Sequence, residues 1–420
     1  MASLEHIYSN PIRPEIQNGT VEWLASKNIR SIKKLPLIFW SSGDQWDEVN
    51  LWALERARNR DVKLKTINTL MEHLHKYANW LEEQKIDWRH FPTSKAERVL
   101  IRYRGYLIEL RDCGVLSPST TSIRMNAVIQ FYRYADAHNL ICHDSRMWKD
   151  RTVVMSYYDP IGFKRTVQRT TTDVSIPNRA RAGLRLEDGL LPVTSKDMMA
   201  LLQFSKENAS HELHLMLLTA FYSGARLGTI TTLSANALEQ ALPDPQSNGF
   251  WVVPIGPGTG ISTKFDVSGE LMIHESLMKS LKAYLTSSQR LDRVIKAPKE
   301  NRSFLFLTRH GNPYKPNTVD REMVDLRRKG ASTGLKFLAR FKFHQTRATY
   351  GTWLMSICLQ VATTKAAIEF VKRAMHHKHE STTFGYIAFI EDSKAKIEIS
   401  NAFSKDFFGL TNNLTKKTNG

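Results

Sequence analysis

The sequence predicts a multidomain protein, with an all-α helical bundle followed by a mainly helical α+β domain that carries a small antiparallel sheet. Two observations predict this. Through residues 46–148 apolar side chains recur at three- and four-residue steps, the period of amphipathic helices. Beyond residue 191 similar helical stretches are interrupted by short β-type runs with glycines between them. A patternless, basic stretch separates the two regions.

In chain order, residues 1–45 are mixed in signal. Pro11, Pro14 and Pro36 interrupt them, and only Leu35–Trp40 is strongly apolar, so they are expected to be an extension with little core of its own. In 64–84, Ile67, Leu70, Met71, Leu74, Tyr77, Ala78 and Leu81 form one helical stripe. Pro92 followed by Thr93 and Ser94 marks a break and a helix start. Val99, Leu100, Tyr103, Leu107 and Leu110 then continue the period. A turn at Ser117-Pro118-Ser119 precedes a further helix, about 120–137, closed by Asn139. Over 149–190 the period is lost, and Lys149, Arg151, Lys164, Arg165, Arg169, Arg179, Arg181 and Arg185 far outnumber the acids. This reads as a basic interdomain linker suited to tracking phosphates.

The second folded region opens with a helix that Thr194 or Ser195 can cap. An apolar helix over 211–222 follows, ending at Gly224. Phe250–Ile255, Leu271–Ile273 and Ser303–Leu307 read as strands, and helical pattern resumes near Val319. The expected division is therefore 1–45, 46–148, 149–190, 191–390 and a tail, 391–420.

The 420 residues carry 59 Lys and Arg against 41 Asp and Glu, a formal charge of +18. An excess this large favours a polyanionic partner. Hydrophobic residues at 42% exclude a mainly disordered chain. Three cysteines exclude a disulfide scaffold, and without C-x-x-C pairing they make no zinc module. No apolar run reaches the roughly 18 residues that cross a bilayer. The expectation is a soluble cytoplasmic protein with no membrane partner.

Four short segments carry candidate chemistry: Ser223-Gly224-Ala225-Arg226, Phe343-His344-Gln345-Thr346-Arg347, Ala374-Met375-His376-His377 and Thr382-Thr383-Phe384-Gly385-Tyr386. His344 and Arg347, three apart, share a helix face. His377 stands nine residues before Tyr386. Zinc held by His376, His377 and His379 is the weaker reading. Adjacent helical residues point about 100° apart, and no cysteine lies beside them.

In their order and spacing these segments resemble the tyrosine recombinases, the phage-integrase type of site-specific DNA recombinase. Lys264, nine residues before Ile273, lines up with the family's hairpin lysine. The resemblance implies a catalytic domain over 191–390 and, more weakly, a SAM-like core-DNA-binding bundle before it. It implies that Arg226 and Arg347 bind the phosphate and that Tyr386 is the nucleophile. His344 is then general base, Lys264 general acid and His377 a phosphate or nucleophile brace. The implied reaction runs through a 3′-phosphotyrosine and a Holliday junction, with no cofactor, metal or ATP. Double-stranded DNA clamped by two domains is the implied partner, bound by a homotetramer that is a monomer or weak oligomer when free. Accessory DNA-bending or directionality proteins are further partners left open. The phosphate-tracking side chains would be those of the linker together with Arg340 and Lys342. The apolar tail is expected to dock on a neighbouring protomer or in cis. A type IB topoisomerase-like enzyme and a non-catalytic DNA-binding protein are the alternatives. The chain departs from the family pattern at Thr229, where an acid is common, at Ala348, and at His376, where glycine is common.

Overall fold

The apolar stripe of residues 64–84 is one helix of twenty-one residues in the computed structural model of the chain. The structure describes residues 1–17, 20–25, 31–59, 62–141, 146–158, 164–178 and 186–403. It divides into two units, Met1–Ala182 and Gly183–Gly420.

In the first unit, strands β1 (Ser3–Ser9), β2 (Ile12–Gln17), β3 (Thr20–Ala25) and β4 (Ile32–Phe39) precede four helices. These are α1 (Asp47–Arg58), α2 (Leu64–Gln84), α3 (Val99–Asp112) and α4 (Pro118–Ala137). Helix α4 begins as its sequence dictates: the Ser117 side chain accepts from the Thr120 amide, and Pro118 takes the first helical position, where a missing N–H costs nothing. Aromatic rings fill the core. Trp46, almost wholly buried, packs against Trp40, Tyr77, Trp88 and Phe131.

The unit is less purely helical than its periodicity suggests. Strand β4 pairs antiparallel with β1, and Ile38 and Ala2 enter the core of the bundle. The Asn50 side chain fastens β4 to α1, accepting from the Ile38 amide at 2.8 Å and donating to its carbonyl at 3.0 Å. The apolar patch at residues 35–40 is this docked strand. Periodicity misses it because its buried residues run consecutively rather than alternating. Strands β5 (Asp150–Tyr158) and β6 (Lys164–Thr172) form an antiparallel hairpin within the stretch read as linker.

The second unit opens with α5 (Ser195–Asn208), capped by Thr194, then α6 (His211–Ser223), α7 (Leu227–Thr231) and α8 (Ala235–Glu239). A three-stranded antiparallel sheet follows, of β7 (Leu242–Pro243), β8 (Phe250–Ile255) and β9 (Gly269–His274), in the order β7-β8-β9. Next come α9 (Glu275–Leu285), α10 (Ser288–Lys296), α11 (Pro316–Ser332), α12 (Gln345–Val361), α13 (Thr364–Ala374) and α14 (Glu380–Phe403). The expected strand at 303–307 makes only isolated bridges, Phe304 to Ser234 and Leu307 to Pro313. Two of its carbonyls are taken by a side chain instead. The buried Arg290 guanidinium donates to the carbonyls of Phe304 and Leu305, each at 3.1 Å.

Two glycines set the spacing around the later helices. Gly224 ends α6 in the left-handed conformation, φ +64°, and a Cβ there would run into the Tyr350 ring. Gly351, mid-way along α12, lets the Tyr386 ring of α14 lie against the helix backbone; a Cβ would stand 2.5 Å from that ring. Helical Gly→Ala ordinarily stabilises by about 1 kcal/mol. Here the sign should reverse. Gly351→Ala is expected to destabilise the second unit by about 1–3 kcal/mol through overpacking. Calorimetry would read this as a lowered melting temperature for that unit, and an unchanged or raised one would contradict the packing.

Candidate active site

Each candidate side chain is placed by the end of an element. Helix α6 stops at Gly224, the chain turns outward, and Arg226 becomes the residue preceding α7. Phe341 and Phe343 are buried in the domain core and hold the segment that delivers His344 to the start of α12, with Arg347 in its first turn. Lys264 opens a short turn, Lys264–Asp266, in the loop joining β8 to β9.

Helix α13 closes in a Schellman arrangement. The His376 amide donates to the Arg373 carbonyl at 3.1 Å, and the His377 amide reaches back to the Lys372 carbonyl at 3.0 Å. His376 itself is left-handed, with φ +50°. Glycine takes such a position most easily, which explains why glycine is common there in proteins of this pattern. The substitution is compensated locally. The His376 ring Nε2 lies 3.0 Å from the Glu270 carbonyl, in space left by the absent side chain of Gly269. Burial, with the charges of Arg347 and Arg226, pushes the His376 pKa down to about 4, against the raising effect of that hydrogen bond.

The choice between the two histidines follows from this turn. His376 faces the sheet; His377 faces inward toward Tyr386, its ring stacked on the phenol at a centroid distance of 5.9 Å. His377 Nδ1 lies 2.9 Å from the Thr383 hydroxyl, and Nε2 lies 3.2 Å from Glu187. Since the carboxylate can only accept, Nε2 carries the proton and, in the neutral ring, Nδ1 accepts from Thr383. Burial lowers the His377 pKa, and the bond to Glu187 offsets part of that.

Arg347 is the most constrained of the group, only 1% exposed. Its Nη1 donates to the Gly224 carbonyl at 2.7 Å, its Nη2 to the Met375 carbonyl, and its Nε to Glu187 at 2.9 Å. Tyr386 is equally buried, and its hydroxyl donates to the same Glu187 oxygen at 2.9 Å. His344 meets the other oxygen at 3.2 Å. The structure thus gathers His344, Arg347, His377 and Tyr386 around one carboxylate. Burial raises the Tyr386 pKa, and the Glu187 charge adds to the rise. For Glu187 burial works upward too, but the bonds from His344 and His377 and the charge of Arg347 overcome it and hold the group well below the carboxylate range. Alongside lies a cleft of about 420 Å³ lined by Leu190, Arg226, Lys264, Lys342 and His344.

Six sequence candidates therefore fall in one region: four on the carboxylate and two, Arg226 and Lys264, on the adjoining cleft. Two neighbours escaped the sequence reading. Thr383 stands in the tyrosine segment, three residues before Tyr386 and so on its helix face. Glu187 lay in the stretch read as linker; its only sequence signal is that Glu187-Asp188 follows a long basic run. Of the phosphate-tracking candidates, Lys149, Arg151, Arg340 and Lys342 are exposed. Lys164, Arg165 and Arg169 are described only as positions on β6, and Arg179, Arg181 and Arg185 lie outside the described residues.

The profile of the phage integrase family matches residues 192–392, which include all six candidates. No curated protein sequence matches the chain. Among solved structures, the integrase of transposon Tn1549 in complex with transposon right end DNA superposes with a TM-score of 0.52 at 13% identity, covering 84% of this chain and 98% of that one. The same integrase with circular intermediate DNA gives 0.51 at 14% identity, covering 84% and 98%. At such identity the likeness establishes the fold: an N-terminal helical region followed by a mixed α/β domain. Residues 192–392, the stretch that carries the ordered set from Arg226 to Tyr386, match the phage integrase family, the tyrosine recombinases.

Proposed function

We propose that the chain is a site-specific DNA recombinase that cleaves and rejoins DNA through a 3′-phosphotyrosine. The observation that carries this is the convergence of His344, Arg347, His377 and Tyr386 on a single anion position beside the cleft of Arg226 and Lys264. A phosphodiester gathers negative charge on its non-bridging oxygens when attacked, and preorganised guanidinium and imidazole donors stabilise that charge.

In this reading the Tyr386 oxygen attacks phosphorus as His344 takes the phenolic proton. The bond to the 5′ oxygen breaks, and Lys264 protonates that departing oxygen to a 5′ hydroxyl. Arg226 and Arg347 hold the non-bridging oxygens, and His377, oriented by Thr383, braces the phosphate. A 5′ hydroxyl from another strand reverses the step, so the phosphodiester energy is kept without ATP or metal. Two such rounds exchange strands through a Holliday junction.

The first unit would serve as the core-DNA-binding domain, its bundle of SAM-like type. The exposed bases Lys149, Arg151, Arg340 and Lys342, with Lys164, Arg165, Arg169, Arg179, Arg181 and Arg185, would contact backbone phosphates. The DNA complexes of the Tn1549 integrase support a DNA partner, and the proposed active form is a homotetramer on its sites. Helix α14 runs on past Tyr386 with Ile397 and Ile399 exposed at 61% and 67%. Apolar exposure on a helix leaving the domain supports docking of the tail on a neighbouring protomer. The tail residues beyond 403 lie outside the described residues. No helix among the described residues is long and apolar enough to cross a membrane, and the proposed location is cytoplasmic, on the nucleoid.

A suicide substrate whose cleaved 5′ fragment diffuses away tests the chemistry. The wild type should accumulate a covalent protein–DNA adduct and Tyr386→Phe none. Arg226→Ala should slow adduct formation by about 10²–10³-fold. An adduct formed by Tyr386→Phe would refute the assignment. Sequencing of joined products from two sites then separates recombination from same-strand religation. For the tail, truncation at Asp392 should weaken tetramer assembly on paired sites while sparing single-site binding in gel shifts; unimpaired assembly would count against docking in trans.

A further inference from the structure

The carboxylate of Glu187 lies among the cations and the proposed nucleophile of this site, and it stands where the reaction needs an anion of another kind. Its two oxygens accept from Arg347 Nε, His377 Nε2, Tyr386 Oη and His344 Nε2 at 2.9–3.2 Å. These are four of the six groups assigned above to the scissile phosphate and its attacker. A carboxylate matches a phosphodiester in the features that matter for recognition: one negative charge shared by two equivalent oxygens, both able to receive several donors. From these contacts we infer that Glu187 is a built-in surrogate of the scissile phosphate, which occupies the phosphate seat in the free protein and must withdraw before DNA can react.

Three further observations agree. First, the seat cannot hold both anions, because the same donor hydrogens cannot serve a carboxylate and a phosphate together, and two like charges at contact distance repel. Secondly, Glu187 is delivered by a tight turn held in an unfavourable backbone shape. Its φ is +35°, costly for a residue with a Cβ, and strain of this kind persists where function over-determines it. The turn is closed by the reciprocal backbone bonds of Leu186 and Leu190, at 3.0 and 2.7 Å, and anchored by the buried Leu186 in the cluster that holds Tyr386. Thirdly, the second unit begins at Gly183, so the turn stands only a few residues from the chain's passage between units. The alternative role is a fixed general base for Tyr386, since the distance allows it. The charge environment opposes that role: a carboxylate held this far below its ordinary range by Arg347 and two histidines is a poor proton acceptor, and its charge raises the Tyr386 pKa.

A latched seat lowers apparent reactivity by the fraction of molecules in which it is closed. The inference rests on the strand-transfer reading of the site, and two measurements keep the two apart. The first compares adduct formation on the suicide substrate at sub-saturating DNA. Glu187→Gln should react faster than wild type, by about fivefold or more if the latch is mostly closed. A fixed base predicts the opposite, a loss approaching that of Tyr386→Phe. Where the wild type forms adduct, a slower or equal rate for Glu187→Gln overturns the latch. The second needs no activity: inorganic phosphate should raise the melting temperature of the Glu187→Gln protein and leave the wild type, whose seat is filled, nearly unchanged. Equal shifts in both proteins overturn it. Should Glu187→Gln fail to fold, Glu187→Asp keeps the charge but shortens the reach by one methylene, and the same two comparisons apply with the same signs. Absence of adduct in every protein, with a phosphate shift in the variant alone, would sink the strand-transfer reading and leave the latch standing.

Discussion

The site depends on burying one guanidinium. Arg347 is always charged and lies out of water, and a buried unpaired cation would cost several kcal/mol. It is made tolerable by acceptors on three sides: Glu187, the Gly224 carbonyl just past the end of α6, and the Met375 carbonyl at the end of α13. Two of these acceptors are helix C-terminal groups, where unsatisfied carbonyls concentrate partial negative charge. The arginine therefore pins two helix ends to the start of α12. The consequences reach its neighbours in sequence. Arg226 follows Gly224 by two residues and His377 follows Met375 by two, so satisfying Arg347 also positions both.

Much of this was legible in the residues because each motif sits at a boundary with its own local signal. Gly224 announces the end of an apolar helix, and Thr194 and Ser117 announce starts. Spacing put His344 beside Arg347. What periodicity could not show were contacts between segments far apart in sequence. Glu187 meets Tyr386 across 199 positions, and nothing local to either residue encodes the pairing. Strand β4 and the hairpin of β5 and β6 escaped for another reason. Their runs lack the alternation that a half-exposed strand displays, and the hairpin's many charges imitate a solvated linker. The segment at 303–307 misled in the other direction. It has the composition of a strand, yet an arginine side chain takes two of its carbonyls.

Two of the departures from the family pattern, His376 and Thr229, also have local explanations. His376 accepts a strained backbone and is repaid by a hydrogen bond to the sheet, with Gly269 opposite making room for the ring. Thr229, where an acid is common, uses its hydroxyl to hold the Ser262 carbonyl at 2.8 Å, two residues before Lys264. It thereby steadies the loop that carries that lysine.

Helix α14 carries Tyr386, the proposed nucleophile, in its second turn and runs on without a break to Phe403. Seventeen residues at about 1.5 Å each put roughly 25 Å of rigid rod beyond Tyr386. With no proline or kink between the two ends, the phenol and the far end of the helix form one mechanical body. A small tilt applied at the outer end is carried along the helix to the Tyr386 phenol. The aim of the Tyr386 phenol is thus set as much by what grips the distal end of the helix as by the groups that surround it.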